Sequence, residues 1–126
     1  MTGRFCTAIN CMDGRVQLPV NLWLRDRYGI DYVDTITEPG PNRILAEGTD
    51  PTLVDSIRRR LLVSVRCHGS KVVAVVGHDD CAGSPVASDV QRQLVRQAVA
   101  VVRSWELGVD VIGVWVDTNW QVHEEY

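Results

Sequence analysis

Apolar residues follow two different spacings along the chain, and these spacings predict strands that alternate with helices. Four short segments are apolar or alternate between apolar and polar residues, as β-strands do: residues 4–10, 31–37, 71–76 and 109–117. Between them, apolar residues recur every three or four positions, as on the buried face of a helix. These helical segments cover residues 18–28, the stretch between Asp50 and Gly69, and the stretch between Ser84 and Gly108.

Glycine, proline and capping residues mark where these elements begin and end. Gly29 follows the first helix, and Asp50-Pro51 supplies an N-cap with proline at the first helical position of the second. Residues 38–42, EPGPN, hold two prolines and a glycine, so we expect a rigid turn that belongs to neither a helix nor a strand. Ser84-Pro85 is expected to open the last helix, whose apolar face would contain Val90, Leu94, Ala98, Val102 and Trp105. We expect residues 109–117 to be the last strand.

Strands joined by helices are typical of an α/β fold with a mostly parallel sheet. We expect four strands in the order 2-1-3-4, with helices on both faces and right-handed crossovers. Residues 1–126 have the length of a single domain. Because ligands of such sheets bind beyond the carboxyl ends of the strands, the residues after the first and third strands are the first candidates for a functional site.

Composition narrows the class of protein. The chain is 45% hydrophobic and 23% charged, which is typical of a globular protein, and its net charge of -3 gives no electrostatic reason to expect nucleic acid as a partner. No apolar run approaches the roughly 20 residues that span a bilayer, and the N-terminus lacks the apolar core of a signal peptide. We therefore expect a cytoplasmic protein without a membrane segment. In a reducing compartment disulfides are disfavoured, so we expect the four cysteines to serve metal binding or catalysis.

Cysteine and histidine follow the ends of two predicted strands. Cys11 comes directly after the first strand, and the third strand runs into GHDDC, which contains His78 and Cys81. If the first and third strands are neighbours, the three side chains converge at one edge of the sheet. Two thiolates and an imidazole, with a water in the fourth position, are the ligands of an open zinc site. The alternative is that both cysteines are buried structural thiols.

Asp13 and Arg15 stand next to the first of these ligands. Two anionic thiolates neutralise a zinc ion, so its water is less acidic than that of a zinc held by neutral ligands. A carboxylate that accepts a hydrogen bond from this water would orient it, and an arginine two residues later could hold the carboxylate by paired hydrogen bonds. The alternative is a surface ion pair of little energetic value.

The segments CMDGR and GHDDC together resemble the β-class carbonic anhydrases, whose motifs are C-x-D-x-R and H-x-x-C. The resemblance extends to VDTITEPGPNRIL, in which Asn42 matches the last asparagine of a family turn, and to VIGVWVDTNWQV, which is similar to the family's closing strand. Ala82 differs, since the family usually has glycine there. The resemblance implies one Zn²⁺ per chain on Cys11, His78 and Cys81, with Asp13 and Arg15 as the catalytic dyad.

By the same resemblance, the chain would hydrate CO2 reversibly to bicarbonate. Two alternatives remain: a related hydrolase of COS or CS2, and a non-catalytic zinc domain whose fourth ligand is Asp13. Since parallel-sheet edges need covering, we expect the tryptophan-rich last strand to face a partner subunit in a homodimer or a larger assembly of dimers.

The remaining cysteine and histidine residues are assigned no catalytic role. We expect Cys6 to belong to the core, His68 to lie at a helix C-terminus and His123 to be solvated in the tail. Asp80 is expected to accept a hydrogen bond from a loop amide.

Overall fold

The computed structural model describes residues 3–126, in which five strands form one sheet. The strands are β1 (Phe5–Cys11), β2 (Tyr32–Glu38), β3 (Val72–His78), β4 (Asp110–Val116) and β5 (Val122–Glu124). The helices are α1 (Gln17–Tyr28), α2 (Pro41–Glu47), α3 (Pro51–Cys67) and α4 (Ser88–Ser104), and a 3-10 turn at Gly14–Val16 precedes α1.

The strand order is β2-β1-β3-β4-β5, and the first four strands are parallel. The predicted α/β fold and the order 2-1-3-4 are therefore confirmed, with one strand added at the edge. Ile9 of β1 lies between Ile36 of β2 and Val75 of β3. Because β1 and β3 are parallel neighbours, their carboxyl ends meet at the same edge of the sheet.

Helices cover both faces of the sheet, as a parallel sheet requires. On one face, α1 packs Val20 and Leu24 against Ala74 and Val76 of β3 and their neighbours. On the other face, α3 and α4 pack against Val73 and Val75 of β3. The two helices contribute five of their buried side chains to this cluster: Ile57, Leu61, Val95, Ala98 and Val99. These side chains are at most 1% exposed, and burying each valine, leucine or isoleucine among them stabilises the fold by about 1.5–3 kcal/mol.

Two of the predicted helix ends, the start of α3 and the end of α1, are formed by the expected residues. The Asp50 side chain accepts a hydrogen bond from the Leu53 N–H at 3.2 Å, and Pro51 is the first residue of α3. Gly29 ends α1 in the left-handed conformation, at φ 59°. None of the helices within residues 3–126 combines the length and hydropathy needed to cross a bilayer.

The prediction for EPGPN holds only for Pro39 and Gly40, because Glu38 is the last residue of β2 and α2 begins at Pro41. Pro41 is the first residue of α2, and Gly40 precedes it as a left-handed N-cap at φ 67°. Proline breaks a helix in its interior, but at the first position its missing N–H would have no helical partner in any case. The turn thus ends at Gly40 and a two-turn helix follows.

The last helix begins at Ser88, not at Ser84-Pro85. Residues 81–87 form a loop in which the Ser84 N–H donates to the Cys81 carbonyl at 3.2 Å and the Val86 N–H to the Ser84 carbonyl at 2.8 Å. The buried face of α4 is also shifted from the predicted one, since Val90 is 41% exposed whereas Gln91 is fully buried.

The sheet does not end at residue 117, because β5 pairs antiparallel with β4. The Asp117 side chain accepts hydrogen bonds from the N–H groups of Asn119 and Gln121 at 2.9 and 3.0 Å, which turns the chain back. Of the two tryptophans in the expected partner-facing segment, Trp115 is only 2% exposed within its own chain, whereas Trp120 is partly exposed.

Candidate metal centre

Three side chains that can bind a metal meet at the carboxyl edge of the sheet. Cys11 is the last residue of β1, His78 is the last residue of β3, and Cys81 follows in the next loop. Their ligand atoms, two sulfurs and one ring nitrogen, lie within 4.8 Å of one another, and all three residues are buried. The predicted convergence of these residues is thus present in the structure.

The spacing of the two sulfurs suits a tetrahedral metal. The Sγ atoms of Cys11 and Cys81 are 3.9 Å apart. Two Zn–S bonds of about 2.3 Å at a tetrahedral angle separate the sulfurs by about 3.8 Å. Thiolate and imidazole ligands favour zinc over magnesium or calcium, which prefer oxygen.

The His78 ring is oriented as a metal ligand would be. Its Nδ1–H donates to the Asp79 carbonyl at 2.7 Å, which leaves Nε2 as the nitrogen with a free lone pair. Nε2 is buried and has no hydrogen-bond partner. A buried polar atom without a partner costs about 1–3 kcal/mol, and a metal ion would supply the partner. The residues present therefore fit a zinc ion.

The two thiols share their protons unequally. The hydrogen bond with Cys81, aided by the neighbouring His78 imidazole and by the N–H groups of Gly40 and Asp13, lowers the pKa of Cys11 to about 4 although burial opposes this. The same hydrogen bond, together with burial, raises the pKa of Cys81. Without metal, the pair is thus one thiolate and one thiol near neutral pH, and zinc binding must displace the remaining proton.

Arg15 holds the Asp13 carboxylate next to this cluster. The Arg15 backbone N–H and Nε donate to Asp13 Oδ1 at 2.9 and 3.0 Å, and Nη2 donates to Oδ2 at 2.7 Å. These hydrogen bonds lower the pKa of Asp13 to about 2, so the carboxylate is ionised at neutral pH. The predicted pair is thus formed, with two guanidinium nitrogens on the two carboxylate oxygens.

Arg15 is itself held by two further segments. Its Nη1 donates to Asp80 Oδ2 at 3.2 Å, and its Nη2 to the Asp80 carbonyl at 3.1 Å. Its guanidinium carbon lies 4.7 Å from the centre of the Trp120 ring, within cation–π range. Asp80 thus accepts from Arg15 through its carboxylate, whereas a loop amide was expected. These contacts tie the dyad to the β3–α4 loop and to the β4–β5 turn.

A cleft of about 530 Å³ opens beside the cluster. Its walls combine charged and apolar groups: Arg15, Asp79, Asp80, Cys81, Ala82, Pro85 and Val86. A small molecule could reach Cys81 and Arg15 through this cleft without crossing the core.

A family model described as "Putative carbonic anhydrase" matches residues 1–125. The chain belongs to this family. Among solved structures, a β-carbonic anhydrase of Aspergillus fumigatus, CafA, is 16% identical, with a TM-score of 0.56 over 95% of this chain and 74% of that chain. One of two tetrameric β-carbonic anhydrases of Sordaria macrospora is 15% identical, with a TM-score of 0.55 over 98% of this chain and 81% of that chain. A comparison with curated proteins gave no match.

This carbonic anhydrase family member thus has the fold of the β-class enzymes, as its two motifs indicated. At identities this low, the structural likeness establishes the fold alone. The roles of the individual side chains have to be argued from their geometry.

In this family member, the turn before α2 lies directly on the loop after Cys81. A Cβ atom added at Gly83 would stand 2.4 Å from the carbonyl carbon of Pro39 and 2.8 Å from the Gly40 nitrogen. Only glycine allows the two backbones to approach this closely. The strand before this turn is joined to the end of β1, because the N–H of Met12, next to Cys11, donates to the Glu38 carbonyl at 3.0 Å.

Sequence reasoning missed Gln91, a fully buried polar residue near this turn. Its Oε1 accepts from Asn42 Nδ2 at 3.0 Å, and its Nε2 donates to the Ser84 carbonyl. The available signal was a glutamine four residues before Val95 and seven before Ala98, on the face of α4 that meets the sheet. The spacing identifies the face, but not the partners of the amide.

The other candidate side chains lie outside the cluster. Cys6 is buried in the core as predicted, and burial raises its pKa to about 12. His68 pairs with Asp34 at 2.6 Å, and both Cys6 and His68 line a cavity of about 260 Å³ at the opposite edge of the sheet. His123 is exposed to solvent, as expected, and from β5 it pairs with the Asp117 carboxylate at 2.8 Å.

Proposed function

We propose that this chain is a zinc-dependent carbonic anhydrase that converts CO2 and water reversibly to bicarbonate and a proton. In this proposal, Cys11, His78 and Cys81 hold one zinc ion per chain, and Asp13 and Arg15 form the catalytic dyad. The main support is the buried Nε2 of His78, which has no hydrogen-bond partner and belongs to a cluster with two sulfurs 3.9 Å apart.

When bound, zinc would act as a Lewis acid that lowers the pKa of a water molecule. The chain's own contribution begins with Asp13, which stays ionised because Arg15 lowers its pKa to about 2. Its carboxylate accepts a hydrogen bond from the attacking water and aims the oxygen lone pair at the carbon of CO2. The water loses one proton to solvent as the new C–O bond forms, and bicarbonate leaves through the cleft.

The contacts of Asp13 argue against a site closed by this residue. Both of its carboxylate oxygens accept hydrogen bonds from the Arg15 guanidinium, and Arg15 is also bonded to Asp80. To reach a metal, the carboxylate would have to give up charge-assisted hydrogen bonds, which are the strongest kind in proteins. The geometry therefore favours an open fourth position over the non-catalytic alternative.

The chemistry of the cleft walls helps to choose between CO2 and the sulfur-containing alternatives as substrate. Arg15, Asp79 and Asp80 make one side charged, while Ala82, Pro85 and Val86 are apolar. A mixed surface suits a small apolar gas that leaves as an anion. A narrow, wholly apolar entrance would have favoured COS or CS2, so CO2 is the proposed substrate.

Three further features complete the proposal. Residues 1–126 form a single zinc-binding domain, since the two apolar clusters flank one sheet. The chain forms a homodimer or a larger homo-oligomer, which the tetrameric enzymes of Sordaria macrospora support by analogy. Its location is the reducing cytoplasm, consistent with four free cysteines.

The test combines zinc content with stopped-flow CO2 hydration. Wild-type protein should hold one zinc per chain and hydrate CO2, whereas Cys11→Ser and His78→Ala should lose both zinc and activity. Cys67→Ser is the matched control, because Cys67 is an exposed free thiol on α3. Retention of full zinc content in Cys11→Ser and His78→Ala would overturn the ligand assignment. Zinc-loaded wild type that is inactive towards CO2 but active towards COS or CS2 would reassign the substrate, and inactivity towards all three would remove the enzyme proposal.

A further inference from the structure

One buried amide connects the two segments that cover the metal centre. Gln91 is 0% exposed, and its side chain lies between α2 and the loop that follows Cys81. Its carbonyl oxygen accepts from Asn42, which is 1% exposed, and its NH2 group donates to the main-chain carbonyl of Ser84. Both hydrogen bonds are shielded from water.

This pair of residues contacts the segments of two proposed ligands directly and is connected to the third through β2. Ser84 lies in the loop 81–87, three residues after Cys81, and its N–H also donates to the Cys81 carbonyl. Asn42 lies over Gly77, the residue before His78: a Cβ atom there would be 3.2 Å from Asn42 Nδ2. The third segment is reached through the strand before the Pro39-Gly40 turn, because the N–H of Met12, next to Cys11, donates to the Glu38 carbonyl at 3.0 Å.

We propose that Gln91, acting with Asn42, is the positioning residue that holds the three ligand-bearing segments at metal-binding spacing. This inference rests on the proposed metal site. Gln91 touches neither metal nor substrate, so its effect would pass through the position of the Cys81–Ser84 loop relative to Cys11 and His78.

The Asn42 amide and the Ser84 carbonyl both form hydrogen bonds with the side-chain amide of Gln91. Without it, the buried Asn42 amide loses its hydrogen bond to Gln91, and the Ser84 carbonyl keeps only the Val86 N–H of its own loop. The loop and the turn would then move apart to reach water, and Cys81 would move with the loop. Residues that orient metal ligands typically change metal affinity by about 10–100-fold when they are replaced.

The experiment measures zinc affinity by competition with a chelator, and ligand geometry by the visible spectrum of Co²⁺ bound in place of zinc. Gln91→Met keeps the side-chain length and removes both hydrogen bonds. We expect zinc affinity to fall about 10–100-fold and the sulfur-to-cobalt absorption to change. Gln93→Met is the control for residue type, because Gln93 is exposed on the same helix.

Thr7→Val is the control for a general loss of stability. Thr7 is buried on β1 and bonds Ser64 and Ser70, so this variant also breaks a buried polar network. It should unfold more easily and still bind zinc and Co²⁺ as wild type does. Equal zinc affinity and an unchanged cobalt spectrum in Gln91→Met would overturn the positioning role, and so would equal losses in Gln91→Met and Thr7→Val.

A second variant covers the case in which Gln91→Met does not fold. Gln91→Glu keeps the acceptor for Asn42 but places a carboxylate oxygen against the Ser84 carbonyl, so it should lower zinc affinity selectively. Wild-type affinity in this variant would refute the inference. If wild-type protein itself binds no zinc, the proposed metal site fails, and this result is distinct from a failure of the Gln91 role.

Discussion

Replacing Gly83 by alanine should separate the two backbones that cover the metal centre. The added methyl group would lie 2.4 and 2.5 Å from the carbonyl carbon and oxygen of Pro39, where ordinary contact begins at 3.4 Å. The shortfall is therefore 3.4 − 2.4 = 1.0 Å. Backbone atoms cannot rotate out of the way as a side chain can, so the turn, the loop or both must shift by about this distance.

The loss of stability follows from the contact between the added methyl group and main-chain atoms. Overpacking a close-fitted site costs about 1–3 kcal/mol, and we expect Gly83→Ala to lie at the upper end because its neighbours are main-chain atoms. For a domain of this size, such a loss lowers Tm by on the order of 10 °C. Zinc affinity should also fall, by about tenfold or more, because the shift displaces Cys81 from Cys11.

Urea denaturation of the zinc-free protein and chelator competition measure the two effects separately. Gly14→Ala is the matched control, since a Cβ atom at Gly14 meets nothing within 4 Å and its φ is not positive. This control should stay within about 1 kcal/mol of wild type. Equal stability and equal zinc affinity in Gly83→Ala and Gly14→Ala would refute the idea that the close packing of the turn on the loop orders the metal site.

Three other outcomes are expected. Asp13→Asn should keep its zinc but lose about 10²-fold in the rate of CO2 hydration at matched zinc content, and Arg15→Ala should act in the same direction. An Asp13→Asn enzyme with wild-type kcat would contradict the orienting role. Because Arg15 lowers the pKa of Asp13 to about 2, their pair stabilises the fold above about pH 4, and this contribution is lost as the pH falls from about 4 to about 2. The stability difference between wild type and Asp13→Asn in urea should therefore shrink over that interval, and a constant difference would refute the assignment. Removing zinc with a chelator should lower the Tm of wild type but not of Cys11→Ser, because zinc binds the native state alone; equal shifts would place the metal elsewhere.

The four parallel strands could be predicted because each is a short apolar run bounded by turn residues. The metal cluster followed from topology, since Cys11 and His78 close two strands that are neighbours in the sheet. No detailed side-chain packing was needed for that step. Carboxyl-end residues of adjacent parallel strands meet wherever the strands pair.

The features that escaped prediction depend on contacts between distant residues. Pro41 could start α2 only because Gly40 adopts a left-handed conformation packed on Gly83. β5 has three residues, too few for a periodic signal, and it forms because the Asp117 side chain reverses the chain. The buried amide of Gln91 is satisfied by Asn42, 49 positions earlier, so no local pattern could have identified its role.

The strand order also sets the sequence of events in folding. β1 is made first but lies in the interior of the sheet, between β2 and β3. Cys11 and Cys81 are 70 residues apart in the chain, so their sulfurs can meet only after the long β1–β3 connection has closed. Closing such a loop costs conformational entropy before any stabilising contact forms, and this makes the β1–β3 pairing a slow step. A nascent chain would therefore hold the Cys11 thiol without its partner until residue 81 had left the ribosome, and metal uptake would report that the central strands had paired.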